Sequence, residues 1–239
     1  DLSADPVALK SPSTTGAGYF GWSVTGSADH NYIIVGEYGR DWTSGYRSDS
    51  GRVYLYDLND LTSQPIILDP TGIPSSYWST SYSFDSLQFG RQVSVDGDYL
   101  YVTVGGYNSY GANNYNSFIL MFDLTDIQAA PSYIEPPQNQ WSDNNDGSYF
   151  GWYTNGVAFN GNYVAVGSSY GPYASFDNLI DRHGTVYVYA KDTDGHASGS
   201  PVYALQSPDS HGYNYFGRAV AMDDTRLYVG SYGWDGAQG

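Results

Sequence analysis

Cysteine is absent from the 239 residues. That excludes disulfides, thiolate metal ligands and a cysteine nucleophile. Basic residues are scarce: 9 Lys and Arg stand against 25 Asp and Glu, a formal net charge of -16. Nucleic-acid binding needs clustered Lys and Arg to neutralise phosphate, so no nucleic-acid partner is expected, and an anionic membrane surface is disfavoured on the same ground. No apolar run approaches the ~20 residues of a bilayer-spanning helix, so membrane insertion is not expected. The sequence has no Asn-x-Ser/Thr acceptor for N-glycosylation. It opens Asp1-Leu2-Ser3-Ala4-Asp5, without the apolar stretch of a secretory signal, and reads as the start of a mature or excised segment.

What is abundant is tyrosine, at 26 residues, and glycine, at 29, with aromatic residues making up 17% of the chain. Val, Ile, Tyr and Phe dominate the apolar stretches. This is a β composition interrupted by many tight turns.

Internal similarity organises those stretches. Four segments align: YFGWSVTGSADHNYIIVGEYG from Tyr19, QFGRQVSVDGDYLYVTVGGY from Gln88, YFGWYTNGVAFNGNYVAVGSSYG from Tyr149 and YFGRAVAMDDTRLYVGSYG from Tyr215. Their Phe-Gly pairs (Phe20-Gly21, Phe89-Gly90, Phe150-Gly151, Phe216-Gly217) begin at residues 20, 89, 150 and 216, so successive pairs lie 69, 61 and 66 residues apart. Each pair precedes a Val-Gly step: Val35-Gly36, Val104-Gly105, Val166-Gly167 and Val229-Gly230. A polar loop of variable length follows, then an alternating strand (Arg52 to Tyr56, Phe118 to Phe122, Thr185 to Tyr189). A short strand before a proline closes the unit (Ile66 to Leu68, Tyr133 to Glu135, Val202 to Leu205). Val7-Ala8-Leu9 ahead of Pro12 reads as the same closing strand. Asp96-Gly97-Asp98 and Asn160-Gly161-Asn162 are expected to turn between the first two strands with positive φ.

A unit of four strands repeated in tandem predicts an all-β chain of β-propeller blades. Their boundaries fall near 13–70, 82–137, 143–208 and 209–239, with residues 1–12 the outer strand of a preceding or closing blade. The strands expected are one leading, three sets of four, then two. A closed ring of four such blades needs one strand more, so the chain reads as about three and a half blades of a larger ring, or as a small ring or open stack completed by a neighbour. The Phe of each Phe-Gly is expected to wedge between blades, and the glycine of Val-Gly to permit close backbone approach.

Phe216-Gly217-Arg218-Ala219-Val220-Ala221-Met222-Asp223-Asp224, followed by Leu227-Tyr228-Val229-Gly230, resembles an FG-GAP repeat of the integrin-α propeller family. Leu205-Gln206-Ser207-Pro208-Asp209 before it and the Gly-x-Val-Tyr-Val-Tyr strands fit the same pattern. The resemblance extends over nearly the whole chain and implies a propeller used outside the cell for adhesion or protein contact. Two departures stand out. The family's Gly-Ala-Pro is replaced by Gly36-Glu37-Tyr38, Gly105-Gly106-Tyr107 and Gly230-Ser231-Tyr232, and its Asp-x-Asp-x-Asp-Gly calcium loop is not present in full. Tyr153-Thr154-Asn155-Gly156 also interrupts the spacing of the third repeat.

Calcium is the one candidate cofactor, because it takes clustered oxygen ligands. Asp143, Asn145 and Asp146, in Asp143-Asn144-Asn145-Asp146-Gly147, form one candidate loop, and Asp192 and Asp194 before Gly195 form a second. Asp41 and Asp49 flank the first long loop and are a third candidate pair. His30, His183, His196 and His211 include no His-x-x-x-His pair. For partner binding the candidates are loop aromatics: Trp42, Tyr46, Trp78, Tyr107, Tyr110, Tyr173 and Trp234. Such side chains give contact area at low entropic cost. The function expected is that of an extracellular or cell-surface protein, not an enzyme: an adhesion module or a structural subunit of an appendage or filament, with other protein chains or copies of itself as partners. A carbohydrate-binding propeller with glycan ligands is the alternative, and a secreted glycosidase or lyase on the same architecture is the second.

Overall fold

The computed structural model describes residues 5–12, 18–41, 49–70, 87–105, 117–137, 150–151, 156–169, 184–197, 199–208 and 214–231. These residues are all-β, in antiparallel sheets, with no helix among them. Sheet I comprises β1 (Ser23–Ser27), β2 (Tyr32–Glu37), β3 (Arg52–Asp57) and β4 (Ile66–Leu68), in that order across the sheet. Sheet II repeats the order with β5 (Val93–Asp96), β6 (Tyr99–Gly105), β7 (Ser117–Asp123) and β8 (Ser132–Ile134). Sheet III is built from β9 (Val157–Phe159), β10 (Tyr163–Ser168), β11 (Thr185–Ala190) and β12 (Tyr203–Gln206). Sheet IV has two strands, β13 (Phe216–Met222) and β14 (Leu227–Ser231).

The period-2 alternation of each third strand sends one set of side chains to either face. Val53 and Leu55 of β3 share a core with Phe89, Val93, Val102, Leu120 and Phe122 of sheet II. Ile119 and Met121, on the other face of β7, join Phe150, Val157, Val166, Tyr187 and Tyr189 of sheet III. Val186 and Val188, on the far face of β11, meet Val220, Phe216 and Val229 of sheet IV. The sheets therefore stack face to face in chain order.

Strand register corrects one sequence assignment. Val24 pairs with Val35, Val93 with Val102, Val157 with Val166 and Val220 with Val229. The counterpart of Val35-Gly36 in sheet II is therefore Val102-Thr103. Val104-Gly105, two residues on, is not the equivalent step: β6 continues three residues past its paired valine, to Gly105, and β2 two past Val35, to Glu37.

The equivalent positions form the joints between sheets. A Cβ placed on Gly36 would stand 2.0 Å from the carbonyl oxygen of Gly90, and one on Gly167 would stand 1.8 Å from that of Gly217. Each second-strand glycine thus abuts the Phe-Gly glycine of the next sheet, with no space for a methyl group. At the joint between sheets II and III a Thr103 methyl takes the glycine's place, and a Cβ on Gly151 would be 3.4 Å from it. The third Phe-Gly unit, whose spacing is irregular in the sequence, is thus the one that meets a side chain.

The Phe-Gly motif has a constant backbone. Gly21, Gly90, Gly151 and Gly217 have φ between 65° and 86°, and Tyr19, Gln88 and Tyr215 before the phenylalanine also have positive φ. The two left-handed residues turn the Phe ring onto the third strand of its own sheet. Phe20 meets Tyr56, Phe89 meets Phe122 and Phe150 meets Tyr189, all edge to face with centroids 6.3, 6.2 and 6.1 Å apart. Phe89 and Phe150 are wholly buried between consecutive sheets, and each such ring contributes about 1.5–3 kcal/mol by burial.

Two turn-level expectations also change. Gly97 has the positive φ its hairpin requires, but no residue of Asn160-Gly161-Asn162 does. There the Asn160 Oδ1 accepts the N–H groups of Asn162 and Tyr163, both at 2.9 Å, so a side chain closes the turn in place of a left-handed backbone. Val7-Ala8-Leu9 is not a strand, and Val7 is 70% exposed. The segment lacks a ladder partner among the described residues, yet Leu9 packs beside Tyr54 and Tyr56 of sheet I, and Tyr56 donates to the Lys10 carbonyl at 2.9 Å.

Candidate functional site

Asp192 and Asp194 lie in the turn after β11. The Asp192 Oδ1 accepts the backbone N–H of Asp194 at 3.0 Å and of His196 at 2.9 Å. Its carboxylate closes the turn, and the His196 Nδ1 lies 3.8 Å from its Oδ2. Among the described residues no three His, Asp or Glu side chains gather as a metal site would require. Asp143, Asn145 and Asp146 lie outside the described residues. Asp41 and Asp49 are neighbours: the Asp49 N–H donates to Asp41 Oδ1 at 3.0 Å, and burial, reinforced by the Asp41 charge, raises the Asp49 carboxyl pKa.

Turn closure is where many of the acidic side chains go. Asp57, Asp60, Asp123 and Asp223 each accept the N–H of the residue two positions on, at 2.8–3.0 Å. Hydrogen bonds from Thr125 hold the Asp123 carboxyl below the ordinary range, and those from Thr225, Tyr228 and Arg226 bring Asp223 down to about 2. An acceptor serving several N–H and O–H donors is stabilised as the anion. Polar side chains also link successive sheets. His30 meets Asp98 at 2.9 Å, Lys191 pairs with Asp96 and donates to the Asn160 carbonyl, and Asn160 Nδ2 donates to the Asp223 carbonyl at 3.1 Å.

The predicted binding aromatics Trp42, Tyr46, Trp78, Tyr107, Tyr110, Tyr173 and Trp234 all lie outside the described residues. A different aromatic group stands at the joint of sheets I and II. Tyr19 stacks on Tyr38 with centroids 5.0 Å apart, Trp22 meets Tyr38 edge-on at 4.9 Å, and the Arg91 guanidinium lies 5.1 Å from the Tyr38 ring and 5.7 Å from the Trp22 ring. Tyr19 and Trp22 remain 56% and 45% exposed. Burial raises the Tyr38 hydroxyl pKa and the Arg91 charge opposes that rise. The signal for this cluster was in the repeat itself, since Tyr and Trp flank Phe-Gly in Tyr19-Phe20-Gly21-Trp22. A groove of about 470 Å³ lies elsewhere, lined by Ser132, Tyr133, Glu135, His196 and Pro201; in it His196 Nε2 and the Ser132 hydroxyl lie 2.7 Å apart.

Beneath the surface, Glu37 is buried and accepts the Tyr54 hydroxyl at 2.5 Å and the Ser11 hydroxyl at 3.1 Å. Burial, then this hydrogen bond, pushes the Tyr54 pKa up to about 12. Gly167-Ser168-Ser169-Tyr170-Gly171 matches the Gly-x-Ser-x-Gly pattern of hydrolase nucleophiles. That motif needs an exposed serine, whereas Ser169, the residue after β10, is 1% exposed.

In comparison with known proteins, the chain matches no protein-family model and no curated protein sequence.

Proposed function

We propose that the stack is a run of propeller blades of the FG-GAP, integrin-α-like kind, part of a larger ring, and that it serves as an extracellular interaction module in adhesion or as a structural subunit of a surface appendage or filament. The observation that carries this reading is the repeated joint: three successive sheet contacts use the same second-strand position against the same Phe-Gly glycine. Such a stack is a rigid frame from which loops of variable length project, and loops on a rigid scaffold are where binding residues concentrate. The aromatic and guanidinium cluster of Tyr19, Trp22, Tyr38 and Arg91 supplies the side-chain types enriched in protein-binding surfaces.

The same cluster favours a second reading, recognition of glycans, because partly exposed Trp and Tyr rings offer faces on which sugar rings stack. The two separate on Trp22→Ala: loss of glycan-array signal supports the second reading, and an array blank for the wild-type chain removes it. For the first, antibodies to the chain should label intact cells of the source organism, and brief protease treatment should strip the label. Label seen only after permeabilisation refutes the surface assignment.

A further inference from the structure

Ser132, His196 and Asp192 meet at the joint of sheets II and III. Ser132 opens β8 and is half-buried. His196 and Asp192 belong to the turn that follows β11. The Ser132 hydroxyl lies 2.7 Å from His196 Nε2, and His196 Nδ1 lies 3.8 Å from Asp192 Oδ2. A hydroxyl therefore stands at one ring nitrogen and a carboxylate at the other. That is the atom order in which a serine becomes a nucleophile. The carboxylate keeps the imidazole proton on Nδ1, so Nε2 is free to accept the proton of the hydroxyl. The Asp192 contact is longer than a hydrogen bond, and such contacts in enzymes without substrate often tighten when it binds.

Each group is also held by bonds outside this line. Asp192 Oδ1 accepts the His196 N–H at 2.9 Å, and the His196 carbonyl accepts the Asp192 N–H at 2.9 Å. The bridge between Lys191 and Ala197 closes the turn at its base. The Tyr99 ring of β6 meets the imidazole edge to face, with centroids 6.0 Å apart. Tyr189 of β11 donates to the Glu135 carbonyl just past β8 at 2.8 Å. That bond ties the strand bearing Ser132 to the strand that leads into the turn. Nucleophile and base are thus set in place by the fold, which spares the reaction the entropic cost of bringing them together.

Ser132 and His196 both line the groove of about 470 Å³, a volume within the range of small-molecule sites. Tyr133, Pro136 and Pro201 give it apolar wall, and Glu135 adds a carboxylate. A carboxylate in the groove, on a chain of net charge -16, disfavours an anionic substrate.

We infer that this groove is a catalytic site for small neutral carboxylic esters, with Ser132 as nucleophile, His196 as general base and Asp192 as a positioning residue. Ser132 Oγ bonds to the ester carbonyl carbon as Nε2 takes its proton, and the alcohol leaves with that proton. Water then attacks the acyl-serine and gives its proton to Nε2. Release of the acid returns a proton to Oγ and restores the hydroxyl. The inference goes beyond the proposed surface role and does not rest on it.

A fluorophosphonate probe and p-nitrophenyl acetate test it on the full chain. The probe should label the wild type, and peptide mapping should find the adduct on Ser132. Ser132→Ala and His196→Gln should take no label. The wild type should turn the ester over, whereas Ser132→Ala, shown to be folded by circular dichroism, should not exceed the rate in buffer. Asp192→Asn keeps an Oδ1 to close the turn and removes the charge. Its kcat should fall about a hundredfold or more with KM unchanged, a division that a residue shaping only the turn would not produce. A wild type that takes no label and hydrolyses the ester no faster than Ser132→Ala overturns the inference. So does an adduct found on another serine. Either result leaves the surface role standing.

Discussion

Gly167→Ala adds a single methyl group at the joint of sheets III and IV. The backbone raises no objection, since Gly167 lies in β10 and is not among the glycines with positive φ. The objection is spatial: the new Cβ would lie 1.8 Å from the Gly217 carbonyl oxygen and 2.8 Å from its carbon. Both are backbone atoms, so no side chain can rotate away. Sheet IV must retreat by about 1–2 Å to restore van der Waals separation, which loosens the packing of Phe216 and Val220 against Val186 and Val188. Overpacking of a fitted core costs about 1–3 kcal/mol, and a backbone clash at a sheet joint belongs at the upper end. For a chain of this size ~3 kcal/mol lowers Tm by about 6–12 °C. Circular dichroism melts of Gly167→Ala beside Gly230→Ala read the difference at low protein concentration. Gly230→Ala makes only ordinary contacts and should stay within ~0.5 kcal/mol of wild type. If the two variants melt together, glycine at this position is not required by the joint and the packing argument fails.

Two further predictions concern buried tyrosines. The Tyr101 hydroxyl is buried with no hydrogen-bond partner, whereas Tyr189 donates to the Glu135 carbonyl across the joint of sheets II and III. Tyr101→Phe should be neutral or stabilising by up to ~1–2 kcal/mol and Tyr189→Phe should cost ~1 kcal/mol; urea titrations that give both the same sign would refute this. The second prediction is alkaline unfolding. Burial pushes Tyr54 and Tyr187 up to about 12 from an ordinary 10.0. A folded-state pKa above the unfolded one means that the native state holds its proton more tightly. The stability this gives is complete below about pH 10 and is lost as pH rises through about 12. Tyrosinate absorbance and far-ultraviolet dichroism should therefore share a late transition in that window, and ionisation of these two groups well before the sheets melt would contradict it.

The strands were legible because alternation and turn residues are local properties. Arg52 to Tyr56 and Thr185 to Tyr189 could be placed from their Val and Tyr pattern alone. Register was less legible: in Tyr99-Leu-Tyr-Val102-Thr103-Val104-Gly105 two valines stand two residues apart on one face, and the Val-Gly pair drew the alignment to the wrong one. Only the pairing of Val93 with Val102 resolves it. At Asn160-Gly161-Asn162 two turn chemistries compete, and the one that won depends on the Asn160 amide also reaching Asp223 in the next sheet. The Tyr19, Trp22, Tyr38 and Arg91 cluster depends on contacts between residues up to seventy positions apart. Its members are ordinary repeat residues until the joint brings Arg91 over the rings.

The uniform joint has a consequence for how the chain comes apart. Each described sheet touches its neighbours in the stack through the same fitting, so its resistance to opening is set by those neighbours alone and not by the molecule as a whole. Loss of structure should then begin at an end and travel inward one unit at a time. Sheets II and III, each packed on both faces among the described residues, go last. Amide exchange would record this as a gradient of protection along the chain.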